Sequence, residues 1–198
     1  MINLFSFKTF CKHSFFYFLI AGCFVSHQGF AIEKEKININ ESTIGWLGSK
    51  ITGSHEGLVG LKSGFLIFDK TTFVGGEFVI DMTSIVCTDL TGKGKAGIES
   101  HLMSDDFFSV NNYPTANLKI VDVEKKRDNV YLVNASITIK NITQQIAFET
   151  KIEKNRAFAK LVIDRTEFGI IYKSGNFFEE IADKAIYDEF EMTIELAF

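Results

Sequence analysis

Cysteine is scarce in this chain of 198 residues: only Cys11, Cys23 and Cys87. The first two lie in an N-terminal stretch with the features of a removable export signal, which leaves Cys87 alone. A lone cysteine forms no internal disulfide, so the fold must stand on its apolar core. As a nucleophile Cys87 would need a poised base, and Val86, Thr88 and Asp89 offer no obvious one. A small buried residue is the expectation. Histidine is sparse too, with four residues, of which His13 and His27 fall in the same N-terminal stretch. No His-x-His or Cys-x-x-Cys pair seeds a metal site. The one proline, Pro114, follows Tyr113 and ends a short helical stretch.

Long apolar runs are missing as well. Phe15 to Val25 spans about 11 residues, the length of a signal-peptide core and short of the roughly 20 that a membrane-crossing helix requires. Lys8 and Lys12 precede it and are the only charged residues of segment 1–31. Gly29-Phe30-Ala31 then presents small residues for a signal peptidase. Cleavage after Ala31 is expected, giving a signal peptide 1–31, a single domain 32–198 and export to the periplasm. A competing possibility is the lipobox-like Ile20-Ala21-Gly22-Cys23, with a lipoprotein anchored at Cys23; against it, Phe24 and Val25 continue the apolar run. Without the two lysines, 19 basic residues face 25 acidic ones, a formal charge of −6. That balance argues against a nucleic-acid partner.

Catalytic signatures are lacking. No Ser-His-acid set has a nucleophile elbow, and the carboxylates fall at turns and on outward positions. Thr91-Gly92-Lys93-Gly94-Lys95 follows a strand and precedes a helix, but has neither Walker nor dinucleotide-fingerprint spacing.

What the chain has is phenylalanine, 21 residues, within 46% hydrophobic content. Phe buries a large apolar area with no polar atom to satisfy, so it suits an ordinary core or the lining of a dry interior. From Trp46 to Met82 the pattern is strand-like, in three segments: Ser42–Ile51, Leu58–Phe68 and Phe73–Met82. They have no room for crossover helices between them and form an antiparallel meander. Gly53–Gly57 and Asp69–Thr72 are the turns, and Gly75-Gly76 marks a bulge of the kind a closing barrel needs. Thr83–Leu90 reads as a polar loop, Ala96–Met103 as a short helix, and Ser104-Asp105-Asp106 as the cap of a second helical turn.

Five more strands follow: Thr115–Val123, Val130–Ile139, Gln144–Glu153, Arg156–Asp164 and Phe190–Phe198, with an irregular connection over Arg165–Glu189. Tyr131, Val133, Ala135, Ile137 and Ile139 alternate with polar residues, as do Phe190, Met192, Ile194 and Leu196. Asn141-Ile142-Thr143 fits a glycosylation pattern but sits in a tight turn. The fold class is therefore all-β, an extended eight-stranded antiparallel barrel whose interior is filled or holds one slender ligand. Outward Glu191 and Glu195 exclude a membrane-embedded barrel.

Several ordered blocks carry a family resemblance: Trp46-Leu47-Gly48-Ser49-Lys50-Ile51-Thr52-Gly53-Ser54-His55, Gly76-Glu77-Phe78-Val79-Ile80-Asp81-Met82, His101-Leu102-Met103-Ser104-Asp105-Asp106-Phe107-Phe108, Tyr113-Pro114-Thr115-Ala116, Asp164-Arg165-Thr166-Glu167-Phe168-Gly169-Ile170, Gly175-Asn176-Phe177-Phe178 and Asp188-Glu189-Phe190. Over nearly the whole mature chain the sequence resembles the YceI-like family of bacterial periplasmic proteins. Asn117-Leu118 departs from the more basic or aromatic pair expected there. The resemblance implies a lipocalin-like barrel around a long apolar tunnel, and a polyisoprenoid ligand, polyprenyl or quinone-related. It implies no further cofactor.

The candidate ligand-binding residues follow from these blocks. Phe107-Phe108 and Phe177-Phe178 either roof the tunnel and touch the lipid or merely plug the barrel end. His55 and His101 serve as structural hydrogen-bonding groups, as head-group contacts, or with Asp105 or Asp106 as metal ligands. Arg165 is either a head-group clamp or the partner of Asp81, Asp164 or Asp188. Trp46, Phe78, Ile80 and Phe168 complete the set. The expected function is a non-enzymatic carrier or store of an isoprenoid lipid. The alternatives are a quinone-linked redox accessory protein or enzyme, and a stress-response module that fills its tunnel adventitiously. A homodimer is compatible with an exposed barrel edge.

Overall fold

The computed structural model describes residues 32–176 and 185–198. Eight strands close into an antiparallel barrel: β2 (Thr43–Lys50), β3 (Gly53–Asp69), β4 (Thr72–Cys87), β5 (Thr115–Arg127), β6 (Val130–Ile139), β7 (Ile142–Glu153), β8 (Arg156–Asp164) and β9 (Ile186–Ala197). β2 pairs with β9 and β3 pairs with β4, which completes the ring. An additional short strand, β1 (Ile32–Lys36), lies on β3 in the interval β2 leaves free. A 3-10 turn at Ile39–Glu41, capped by the Asn38 side chain, carries the chain from β1 to β2. There Ser42 Oγ donates to Asn38 O (2.8 Å) and accepts from Ala197 N (3.0 Å), sewing this junction to the end of β9.

Alternation builds the interior. On β6 residues 131, 133, 135, 137 and 139 are buried and the residues between them are half-exposed, as period-2 geometry demands. The hairpins are tight. Lys140 and Asn141, both at positive φ (50° and 61°), join Ile139 to Ile142 as a two-residue turn whose twist matches the strands.

Several segments differ from sequence expectation; β5 runs on to Arg127 and β9 already begins at Ile186. Ile32–Lys36 is a strand although every residue in it is exposed; Glu33 and Glu35 stand opposite buried Phe68 and Leu66, and charges on this short strand discourage further edge pairing. Gly53–Gly57 belongs to β3, and the turn is confined to Ile51-Thr52. β4 runs five residues past Met82, to Cys87, through an irregularity opposite Leu58 and Gly60. There Ser84 Oγ takes the Gly60 amide (2.6 Å) and donates to Asp81 O (2.6 Å), replacing a ladder bond. The glycine pair does border a bulge, since the register shifts between Ile67↔Gly75 and Phe68↔Phe73.

Helix α1 (Gly92–Met103) covers one end of the barrel beside β4. Ser104 ends it and, as expected, begins a second short turn, with Phe107 N (3.1 Å) and Ser109 N (2.8 Å) donating to Ser104 O and Ser109 at φ 48°. No helix among the described residues is long and apolar enough to cross a membrane.

Candidate functional site: a two-chambered apolar interior

Inward side chains of the barrel leave two cavities. One, near the β3–β4 hairpin, has a volume of about 110 Å³ and is walled by residues such as Leu66, Phe73, Phe78, Leu118 and Phe148. The other, near α1, has a volume of about 140 Å³ and is walled by Trp46, Met82, Leu102, Phe107, Phe108 and Phe190, among others. Ile44, Ile80, Ile137, Ile163 and Met192 line both. These five come from five strands and form a waist, so the hairpin chamber and the helix chamber read as one channel with a narrowing.

The hairpin chamber ends in an aromatic layer. Phe73 meets Tyr131 edge-on (5.6 Å, 88°) and Phe68 (5.8 Å), and Phe68 meets Phe198 (5.5 Å). Edge-to-face contacts add to the area these rings bury. The one hydroxyl among this chamber's lining side chains is that of Thr150.

The helix chamber ends in a polar network. Arg165 opens the 3-10 helix Arg165–Phe168, whose N-cap Asp164 accepts from Thr166 N (2.8 Å). Its guanidinium is only 3% exposed at the residue level, and lines the chamber. Nε donates to Tyr187 O (3.1 Å), Nη1 to Ile170 O (2.7 Å), and Nη2 to Ile186 O (3.0 Å) and Asp188 Oδ1 (3.1 Å). Asp188 Oδ2 in turn accepts from Ser174 Oγ (2.9 Å) and Asn176 Nδ2 (2.7 Å). Burial lowers the Arg165 pKa from its ordinary value, with Asp188 and Asp164 opposing the shift. The guanidinium also lies 5.8 Å from the Phe107 ring centroid, within cation–π range. Of the two roles open to Arg165, the structure displays the pairing with Asp188, and four of its five N–H bonds are spent on the protein.

The sequence-selected residues divide between lining and support. Trp46, Phe107, Phe108 and Arg165 line the helix chamber, Phe78 the hairpin chamber, and Ile80 the waist. Trp46 lies across Gly57 of β3, where a Cβ would fall 2.5 Å from the indole and 1.9 Å from Val86 O, so only glycine fits. Phe168 is fully buried in the core beside the helix chamber and lines neither cavity. His101 stands between the rings of Phe107 (4.9 Å) and Tyr172 (4.6 Å). Its Nε2 lies 3.5 Å from Asp106 Oδ2, long for a hydrogen bond, and has no other partner among the described residues. Phe177 and Phe178 lie outside the described residues.

His55 lies away from the chambers, with Nδ1 2.9 Å from Asp89 Oδ2. Asp89 also accepts from the buried Cys87 thiol (2.9 Å) and from Glu56 N (3.3 Å). These bonds, led by that of Cys87, hold the Asp89 pKa at about 2, while burial pushes the Cys87 thiol up. The thiol thus points at a carboxylate and is kept protonated, the opposite of what a nucleophile requires. No group of three His, Cys, Asp or Glu among the described residues is arranged to hold a metal. Of the waist, sequence reasoning selected Ile80 alone; the alternation that turns Ile137 and Met192 inward was the available signal for the rest.

Comparisons with known proteins agree with this architecture. Residues 35–198 match the family described as the YceI-like domain. Among solved structures the chain is similar to BcnA of Burkholderia cenocepacia, at 17% identity and a TM-score of 0.65 over 82% of this chain and 99% of that one. It is also similar to a polyisoprenoid binding domain from Saccharophagus degradans implicated in plant cell wall breakdown, at 13% identity and a TM-score of 0.55 over 84% and 97% of the two chains. The YceI protein of Campylobacter jejuni gives 18% identity and a TM-score of 0.53 over 69% and 81%. A search of curated protein sequences finds no match. With the family matched over the entire barrel, the chain belongs to the YceI-like family.

Proposed function

We propose that this chain is a non-enzymatic binding protein that holds one isoprenoid-type lipid along both chambers, after export to the periplasm. The observation that carries this reading is the waist-linked pair of apolar chambers inside a closed barrel. A linear chain fits such a space, and each methylene that leaves water contributes about 0.8 kcal/mol. The hydrocarbon end occupies the hairpin chamber, against the aromatic layer of Phe73 and Phe68. The polar end lies at the helix end, on the side where the Arg165 network closes a chamber whose own lining is almost wholly apolar. Arg165 acts there chiefly as a fixed positive charge and as the tie that holds the mouth in shape. Phe107 and Phe108 form part of the roof. The polyisoprenoid-binding description of the Saccharophagus degradans domain supports the ligand class.

Mass spectrometry of organic extracts, from protein purified out of its native host, tests this. One prenyl lipid near stoichiometric amount is expected. A mixture of ordinary acyl lipids, or an empty protein, would contradict it.

A further inference from the structure

The barrel is closed by pairing, but the β7–β8 seam is incomplete. β7 and β8 pair only from Thr150↔Ala159 to Glu153↔Arg156. Beyond that, among the described residues, the backbone of 142–149 in β7 ladders to β6 alone, and that of 160–164 in β8 to β9 alone. Continued register would set Phe148 against Leu161 and Ala147 against Val162. Outside this seam lies a surface groove of about 270 Å³. Phe148, Leu161 and Met192 line this groove and also the hairpin chamber. The wall between solvent and chamber is therefore one side chain thick. Phe148 and Leu161 are only half-buried despite facing inward. At the far end of the seam, Gln144 Nε2 donates to Glu167 O (3.1 Å) and bridges β7 to the 3-10 helix.

We propose that the unpaired β7–β8 seam is a lateral port for the prenyl chain, with Phe148 and Leu161 as its gate. The inference rests on the lipid-binding reading and adds the route. Both ends of the channel are obstructed: the hairpin end by a packed aromatic layer, and the helix end by α1, the Ser104–Ser109 turn and the Arg165 network. Opening either end breaks buried contacts or charge-assisted bonds. Opening the seam breaks no backbone ladder bond and requires only that two side chains change rotamer. A hydrocarbon entering sideways also avoids threading its whole length end-on. The comparable interruption between β4 and β5, beyond Glu77↔Lys119, also borders an outer groove that shares Phe78 and Leu118 with the hairpin chamber, but there Ile120 packs over Gly76, its Cδ1 3.4 Å from where a Gly76 Cβ would sit.

The test tethers the seam. Ala147 and Val162 are both exposed and face outward. An Ala147→Cys/Val162→Cys variant is bridged with a short bismaleimide; Cys87, fully buried, is spared. Uptake and release of a dansyl-labelled prenyl chain are followed before and after bridging. Both rates are expected to fall about tenfold or more while Kd changes less than about twofold, because a gate alters the barrier and not the bound state. Phe148→Ala is expected to speed release. Unchanged rates in the bridged protein, with binding intact, would overturn the port and leave the cavity assignment standing. Failure of bridged and unbridged protein alike to bind the chain would overturn the cavity assignment and the port with it.

Discussion

The two ends of the channel solve the same problem with different chemistry. At the hairpin end, Phe68, Phe73, Tyr131 and Phe198 close the chamber with a layer of ring contacts. At the helix end, closure depends on a buried cation whose partners are three carbonyls and one carboxylate. Dispersion and burial are non-directional and degrade gradually as atoms are removed. A buried ion pair is directional, and removing one partner leaves an uncompensated charge in a poorly solvated place. The hairpin end therefore sets volume, and the helix end sets shape.

That contrast orders the expected effects. Asp188→Ala is the most damaging change: it strands Arg165 and is expected to cost about 3 to 5 kcal/mol in denaturant unfolding. Phe73→Ala removes a ring that is 2% exposed and is expected to cost about 3 kcal/mol. Unlike Asp188→Ala, it should also lengthen the space open to lipid, so the folded fraction accepts longer prenyl chains in a competition assay. If Asp188→Ala proved as mild as a surface substitution, the distinction between the two ends would vanish.

Phe108→Ala sharpens the comparison within the helix end. Phe108 is half-buried and packs edge-on against Phe190 at 6.4 Å. The expected stability loss is about 1 kcal/mol, with release of bound lipid faster by about tenfold. Unchanged retention in a folded variant would reduce Phe108 to a plug.

The smallest effect belongs to Asp89, outside the channel. Its folded-state pKa, about 2, lies below the ordinary 3.8, so the folded state favours the carboxylate. The stabilisation is complete above about pH 4 and is lost as pH falls through about 2. Asp89→Asn should therefore lower the thermal midpoint at pH 5 and converge with the parent protein near pH 2. The site is partly solvated, so added salt should shrink the difference.

Much of the barrel was legible because period-2 alternation is strong where one face of a strand is buried. β6 and β9 are the clearest cases. The signal failed where another interaction replaced it. β1 is a strand through pairing with β3 and carries no apolar face, so alternation gives no signal over Ile32–Lys36. The end of β4 resembled a loop because Thr83 and Ser84 break the pattern, while Ser84 supplies the missing ladder contact from its side chain. In the site, the aromatics of the matched blocks were visible in the sequence. The partners of Arg165 were less so, since three of them are main-chain carbonyls brought together only by the closed barrel. The rest of the waist escaped notice because Ile44, Ile137, Ile163 and Met192 are remote in sequence and join Ile80 in one ring only through the strand order.

The central claim is that a single linear lipid spans both chambers through that ring. The direct measurement is affinity for prenols of increasing length, made in parallel on the parent protein and on Ile137→Trp, which obstructs the waist. The account predicts affinity that rises with each isoprene unit until both chambers fill, and a plateau at a shorter length in the variant. Affinity independent of chain length, or identical length profiles for the two proteins, would contradict it.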